Sequence, residues 1–305
     1  MTGVQTCALP IFRISDFKDN TGADLSKRLK EFTDAGAKGV VLDLRWNPGG
    51  LLSASKDVCE LFLPKGSLVT YTRGRAGADG KANKDDQRLV TGRKPELPEG
   101  MPVIVLVNSQ TASAAEIVTG ALQFYERALV VGEKTFGKGS VQTIIPLAKP
   151  ETTALRLTTA LYYTPADVTI DHQGILPDVE SGMTQEQEES LAKQMFTSFE
   201  NSPENQYKQN HGSMTDYPAA EGTVEDLQLQ RALDLLNEGA VWEETVKKHH
   251  RDVHETQMTA EEAEKRNGNG AVPAETAGPE SDAPEAAPEE APEEAPDGDF
   301  TEPVW

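Results

Sequence analysis

Residues 103–116 read Val103-Ile-Val-Leu-Val-Asn-Ser-Gln-Thr-Ala-Ser-Ala-Ala-Glu116. The uninterrupted apolar run 103–107 is typical of a strand that is buried on both faces of a parallel sheet. The polar residues after this run lead into a stretch that predicts a helix over 111–126. A buried strand that passes directly into a helix is the repeating unit of α/β proteins, so this stretch predicts the fold class.

The same alternation of strands and helices extends outward in both directions. Further buried strands are predicted from the apolar runs 11–14, 40–44 and 128–131. Helices are predicted after Asn20 and from the loop 45–50 to Leu63. The region between this second helix and the central stretch predicts a strand over 67–72 and a long polar excursion over 73–100.

The apolar pattern changes after Gly139, where the period becomes two as far as Pro165. Alternation with β-branched and aromatic residues is typical of strands that are exposed on one face. The sequence therefore predicts an α/β core with added β-strands.

Composition divides the chain into four segments. We expect 11–182 to form the core, 183–266 an accessory helical segment, and 267–305 a disordered acidic tail rich in Pro, Glu and Ala. Residues 1–10 match neither a strand nor a helix start. They resemble translated adapter sequence, so we expect them to be foreign to the fold.

Charge and composition exclude several classes of function. The chain has 29 Lys and Arg against 50 Asp and Glu, a net charge of −21, so we expect no nucleic-acid partner. Its 2 cysteines form neither a disulfide framework nor a metal-ligand spacing. His249, His250 and His254 lack the glutamate of H-E-x-x-H and predict a solvated helix face. We expect no metal and no cofactor. No apolar run approaches the roughly 20 residues of a membrane span.

Histidine is absent before His172, so a Ser-His-Asp triad cannot form within residues 11–171. A serine nucleophile in this segment needs a lysine or a carboxylate as its base. Ser113 lies where the buried strand 103–107 passes into a helix, a junction that exposes side chains and leaves backbone N–H groups unpaired. The alternative is that Thr111 or Ser113 only caps the helix.

Lys138 is the candidate base, because glycines on both sides let other segments approach the backbone closely. An ordinary lysine has a pKa of about 10.4 and is protonated at neutral pH, so we expect the Lys138 amine to be buried. A phosphate loop is the competing hypothesis, since Gly132, Gly137 and Lys138 satisfy G-x-x-x-x-G-K. It fails because Gly139 replaces the Ser or Thr that holds magnesium, and because a β-branched stretch follows instead of a helix.

Three ordered motifs together resemble the carboxyl-terminal processing proteases, also called tail-specific proteases. They are Val41-Leu-Asp-Leu-Arg-Trp-Asn-Pro-Gly-Gly50, Thr111-Ala-Ser-Ala-Ala-Glu-Ile117 and Val130-Val-Gly-Glu-Lys-Thr-Phe-Gly-Lys-Gly-Ser-Val-Gln142. The resemblance extends from about Phe12 to Val179. It implies a crotonase-like serine protease core.

The resemblance also implies roles for individual residues. Ser113 corresponds to the nucleophile, Lys138 to the general base and Gln142 to the residue that orients the lysine. The oxyanion hole would be formed by the backbone N–H of Ala114 with that of Gly49 or Gly50, and the sequence leaves open which glycine contributes. Asp43 would position the Arg45 loop. The chain departs from the family at Thr111, Ala115 and Trp46, and none of these is a catalytic position.

By resemblance, we expect a serine endopeptidase that cleaves near the C-termini of exported proteins in the periplasm or another exported compartment. Its partner would be a protein or peptide substrate, and the oligomeric state stays open. Relatives carry an export signal and a PDZ domain before the first strand, so we expect this chain to be truncated. The alternative function is a catalytically unassembled binding or scaffolding fragment with the same fold, and a nucleotide-binding enzyme is the third hypothesis.

Overall fold

A computed structural model describes residues 9–74, 86–147, 153–200, 214–216, 224–237, 242 and 244–247. The predicted foreign segment, apart from its last two residues, lies outside these ranges. So does the predicted tail 267–305, and both remain predictions.

The main sheet is largely parallel and has six strands in the order β10-β1-β2-β5-β6-β9. Only β10 runs antiparallel to its neighbour, which is β1. The strands are β1 Ile11–Ile14, β2 Val40–Asp43, β5 Val103–Val107, β6 Leu129–Gly132, β9 Val179–Glu180 and β10 Met214–Asp216. The predicted strands 11–14 and 103–107 are confirmed to the residue.

A second sheet is antiparallel and has the order β4-β3-β8-β7. Its strands are β3 Leu68–Gly74, β4 Arg88–Val90, β7 Ser140–Pro146 and β8 Ala154–Tyr163. The change of period after Gly139 thus marks the β7–β8 pair. The polar excursion predicted over 73–100 was wrong in two places. β3 extends to Gly74, and β4 forms within the predicted excursion and pairs with β3.

Five helices with defined bounds accompany the sheets: α1 Thr21–Asp34, α2 Leu52–Cys59, α3 Ala114–Phe124, α4 Gln185–Glu200 and α5 Leu227–Asn237. The described residues 242 and 244–247 are also helical. The helix predicted from residue 111 begins three residues later, because Ser113 has φ 55° and lies outside helical backbone geometry. None of the described helices combines the length and apolarity needed to cross a bilayer.

Both faces of the main sheet are covered, because successive side chains of its strands point to opposite sides. Leu42 and Val105 belong to the core that α1, α2 and α3 enclose. Val41 and Ile104 belong to a second core, to which α5 contributes Leu235. Burial on both faces accounts for the continuous apolar runs in the sequence, and the α/β prediction is confirmed.

Asp178 joins the edge strand β9 to the sheet through a buried carboxyl group. Its Oδ2 accepts the N–H of Val130 at 2.8 Å, and its Oδ1 accepts Nε2–H of Gln123 at 3.0 Å. Burial raises the pKa of Asp178 to about 7, although both hydrogen bonds act in the opposite direction. The folded chain therefore holds this proton more tightly than the unfolded chain does.

Asp178→Asn should remove a pH-dependent part of the stability. An aspartate whose folded pKa exceeds its unfolded value of 3.8 stabilises the fold at acid pH, and this contribution is lost as the pH rises to about 7. The unfolding free energy of the variant relative to the wild type should therefore rise between pH 5 and pH 8, by at most about 3 kcal/mol. Urea unfolding at both pH values measures this difference, and a difference independent of pH would contradict the assignment.

Candidate active site

Ser113 lies in a strained turn between β5 and α3. Its backbone has φ 55° and ψ −116°, a region that costs a residue other than glycine about 1 to 3 kcal/mol. The turn is held at Ala112, whose N–H donates to the carbonyl of Asn47 at 2.9 Å, and at Thr111, whose hydroxyl donates to the carbonyl of Leu44 at 2.9 Å. Such a turn presents the serine side chain at the carboxyl end of the sheet, and Ser113 is partly exposed.

The loop 46–50 that follows β2, the glycine loop, packs directly against this turn. A Cβ atom on Gly49 would lie 2.7 Å from the Cβ of Ser113 and 3.0 Å from the backbone nitrogen of Ala114. Gly49 also has φ 104°, which side chains disfavour. Only glycine at this position lets the loop approach the serine so closely.

The two glycines of the loop differ in what their N–H groups do. The N–H of Gly49 donates to Oδ1 of Asn47 at 2.8 Å, and the Asn47 side chain is itself held by Nδ2–H donation to the carbonyl of Ile14 at 2.7 Å. Gly49 is buried, whereas Gly50 is exposed. Among the described residues, no acceptor is bonded to the N–H of Gly50 or to that of Ala114.

Glu116 connects the Ser113 turn to the loop that contains Lys138. The residue is fully buried, and its carboxylate accepts four hydrogen bonds. Oε2 accepts the backbone N–H of Ser113 at 2.8 Å and that of Lys138 at 2.8 Å. Oε1 accepts the hydroxyl of Thr135 at 2.6 Å and the N–H of Gly137 at 2.7 Å. The sequence predicted no role for Glu116, although an acidic residue three positions after a helix N-cap is a known capping pattern.

The Lys138 loop is packed tightly through its glycines. A Cβ atom on Gly139 would lie 2.3 Å from the backbone nitrogen of Asp171, whose side-chain Oδ1 accepts the N–H of Gly139 at 3.1 Å. The carbonyl of Gly137 accepts the N–H of His172 at 2.8 Å. These contacts hold the backbone on both sides of the lysine.

The prediction that the Lys138 amine is buried was wrong. The side chains of Lys138 and Gln142 are both exposed, and neither has a hydrogen bond or ion pair to another described residue. The physical reason is that the glycines bring the backbone of the loop, not the lysine side chain, against Glu116 and residues 171–174. The structure thus brings together Ser113, the glycine loop and the Lys138 backbone, but no hydrogen bond joins the Ser113, Lys138 and Gln142 side chains.

Asp43 contacts Arg45 as the sequence indicated. The Asp43 carboxylate accepts Nε–H of Arg45 at 2.9 Å on Oδ1 and Nη2–H at 2.8 Å on Oδ2. Burial alone would raise the pKa of Asp43, but the charge and hydrogen bonds of Arg45 outweigh it and lower the pKa. This buried ion pair lies at the start of the glycine loop.

In the described part of the chain, neither His172 nor a cluster of metal-binding side chains forms a second candidate site. The His172 side chain is 95% exposed, and its Nε2 lies 3.5 Å from Oδ2 of Asp171. Within the described ranges, no group of three or more His, Cys, Asp or Glu is arranged to hold a metal ion. Cys59 is buried in the core, and burial raises the pKa of its thiol.

The chain is similar to known sequences and to a solved structure. A sequence profile described as peptidase family S41 matches residues 9–181, more than half of the chain. A carboxy-terminal-processing protease of Bartonella bacilliformis is 47% identical over 172 residues, which cover 55% of this chain and 37% of that protein. A carboxyl-terminal-processing protease of Synechocystis is 42% identical over 166 residues, covering 54% and 36% of the two chains.

The solved structure of a photosystem II D1 C-terminal processing protease is similar in fold. It is 33% identical and superimposes with a TM-score of 0.50, covering 58% of this chain and 45% of that one. The chain spans only about a third of the length of the two curated relatives.

Replacing Glu116 by glutamine should destabilise the fold. The glutamine keeps one acceptor oxygen but presents an NH₂ group to two of the four donors, which leaves buried N–H groups unpaired. Each unpaired group costs about 1 to 3 kcal/mol, so urea unfolding should report a loss of at least about 2 kcal/mol. Glu126→Gln, an exposed change just after the other end of α3, is the control, and an equal effect of both changes would refute the role of Glu116.

Gly49→Ala should cost more stability than a change at a glycine with similar backbone geometry and open surroundings. Gly66 is that control, since it has φ 92° and no atom lies within 4 Å of the position that a Cβ would occupy. Gly66→Ala measures the backbone strain alone, about 1 to 3 kcal/mol. Gly49→Ala adds the clash with Ser113 and should lower the melting temperature further, whereas equal melting temperatures would show that the close approach is dispensable.

Proposed function

The chain belongs to peptidase family S41, the carboxyl-terminal processing proteases, and from that premise we propose that it is a serine endopeptidase with Ser113 as its nucleophile. The observation that carries this proposal is the strained turn at Ser113, packed against a glycine loop in which the N–H of Gly50 has no acceptor among the described residues. Strain at a residue other than glycine persists where the surroundings enforce it, and it concentrates at active sites.

In the proposed reaction, the Ser113 hydroxyl oxygen attacks the carbonyl carbon of the scissile peptide bond. The developing oxyanion accepts hydrogen bonds from the N–H groups of Ala114 and Gly50. We choose Gly50 over Gly49 because the Gly49 N–H already donates to Asn47. Donors placed in advance stabilise the charge of the transition state without reorganising.

Lys138 is the proposed general base, which takes the Ser113 proton and later returns it to the leaving amine, and Gln142 is proposed to orient it. The amide nitrogens of Ser113 and Lys138 each lie 2.8 Å from the same oxygen of Glu116, so they are no more than twice that distance apart. A lysine side chain can span such a separation. Assembly of the dyad then requires rotation of the Lys138 side chain, with the loop backbone already in place.

A lysine acts as a base only in its neutral form, and an exposed amine favours the protonated form. The proposed mechanism therefore includes desolvation of the Lys138 amine when it turns toward Ser113, with bound peptide excluding water from it. Activity should accordingly rise with pH on the acidic side of its profile.

The proposed substrates are exported proteins cut near their C-termini, in the periplasm or an equivalent exported compartment. The names of the relatives support the position of cleavage, since they describe carboxyl-terminal processing. A second candidate function is a binding or scaffolding fragment with an unassembled dyad. The observation that favours it is the exposure of Lys138 and Gln142 away from any bond to Ser113.

Ser113→Ala and Lys138→Ala should each reduce cleavage of a fluorogenic peptide on the order of 10³-fold or more, while circular dichroism stays unchanged. Because the two residues act as a unit, the double variant should be no worse than either single variant. Lys134→Ala, a change at an exposed lysine of the same loop, is the control and should keep full activity.

Covalent labelling separates the two candidate functions. A serine-directed phosphonate should modify Ser113 in the wild type, as mass spectrometry of the labelled peptide would report. A folded wild type that cleaves nothing and takes no label would favour the scaffolding function. Full activity of Ser113→Ala would overturn the nucleophile assignment itself.

A further inference from the structure

The guanidinium of Arg45 is completely buried, and all of its donors are used. A guanidinium has five N–H groups. Two of them donate to Asp43, two to Asp226 and one to Gln228. Burial alone would lower the pKa of Arg45, but the charges and hydrogen bonds of Asp43 and Asp226 raise it, so the group stays charged.

Most of these acceptors come from the distant C-terminal part of the chain. Asp226 accepts Nη1–H on Oδ1 and Nη2–H on Oδ2, both at 2.8 Å, and Gln228 Oε1 accepts Nη1–H at 3.2 Å. Asp226 lies 181 residues after Arg45 in sequence, outside the segment 9–181 that matches the peptidase family. Without this region, Arg45 would lose three of its five acceptors.

Asp226 is itself held in place by the helix that it precedes. Its Oδ1 accepts the N–H of Leu229 at 2.9 Å, which makes Asp226 the N-cap of α5. Further along α5, Ala232 and Leu235 are buried against the main sheet. The carboxylate that faces Arg45 is therefore attached to a packed element.

Arg45 directly precedes the glycine loop and contacts its first residue. Its guanidinium carbon lies 5.4 Å from the ring centre of Trp46, and Trp46 has φ 57°. The Trp46 N–H donates to Oδ1 of Asn108 at 2.9 Å, and Asn108 Nδ2–H donates to Oε1 of Glu188 in α4 at 2.7 Å. Two helices beyond the matched segment thus reach the start of the loop.

We propose that Asp226 is a positioning residue, which acts through Arg45 to hold the loop 46–50 against Ser113 at the distance that oxyanion binding requires. The proposal rests on the function proposed above and adds a residue that the family match does not cover. The loop contains a strained residue, Trp46, and such a conformation persists only where neighbouring groups enforce it. Loss of the Asp226 contact should let the loop move away from Ser113 while the rest of the sheet stays folded.

Asp226→Asn tests this proposal, because asparagine caps a helix as well as aspartate does. The variant keeps an oxygen for Leu229 and for Nη1 of Arg45, but it places an NH₂ group opposite Nη2. Asp234→Asn, the same change at an exposed position of α5, is the matched control. Inactivation by a fluorescent diphenyl phosphonate is followed at several concentrations, which separates the maximal rate of Ser113 modification from the half-saturating concentration.

We expect Asp226→Asn to lower the maximal rate between about tenfold and about a hundredfold, the range that small misplacement of reacting groups produces. The half-saturating concentration should change less than about twofold, since the probe-binding surface itself is intact. Asp234→Asn should match the wild type. Equal maximal rates in Asp226→Asn and Asp234→Asn would overturn the proposal.

Tryptophan emission supplies a readout that does not depend on activity. Asp226→Asn should change the emission spectrum, and the change should vanish in a Trp46→Phe background. An unchanged spectrum would overturn the proposal.

If the wild type is not labelled, the proposed peptidase function fails, and the emission result alone then decides whether Asp226 positions the loop. Should Asp226→Asn not fold, Gln228→Met removes one acceptor of Arg45 and should produce the same two effects at smaller amplitude.

Discussion

The carboxylate of Glu116 is fully buried, and four donors from two separate stretches of chain, Ser113 and residues 135–138, converge on it. A buried carboxylate is costly unless its lone pairs are satisfied, and here all four hydrogen bonds are 2.6 to 2.8 Å long. The same bonds that stabilise the charge fix the Ser113 turn relative to the Lys138 loop. The geometry of the candidate site follows from this one requirement.

The site lies at the carboxyl ends of β2 and β5, where parallel strands of an open α/β sheet present their loops. Apolar residues fill both faces of the sheet, so polar groups at these strand ends must find partners among themselves. Asp43, Arg45 and Asn108 do so, each bonded to a neighbouring loop or to a distant helix. The C-terminal helices therefore complete both the second core and the polar network at the strand ends.

In the loop that contains Lys138, the backbone is fixed but the lysine side chain is not. Its backbone is held by Glu116 and Asp171, whereas its side chain remains exposed. In the mechanism proposed above, only the Lys138 side chain turns toward Ser113, and the loop backbone stays in place. In the proposed enzyme, the free-energy cost of bringing the two side chains together is therefore the removal of water from the Lys138 amine.

The local sequence pattern was sufficient to predict much of the fold and part of the candidate site. The apolar pattern identified β1 and β5 to the residue, and the motifs located Ser113 and the glycine loop. Burial of both sheet faces, and glycine where segments approach closely, are visible within a few residues of sequence. Only the tertiary structure decided that Lys138 is exposed, that α3 begins at Ala114, and that Asp226 meets Arg45 across 181 residues. These outcomes depend on which segments pack together, and no periodicity along the chain records the identity of a distant partner.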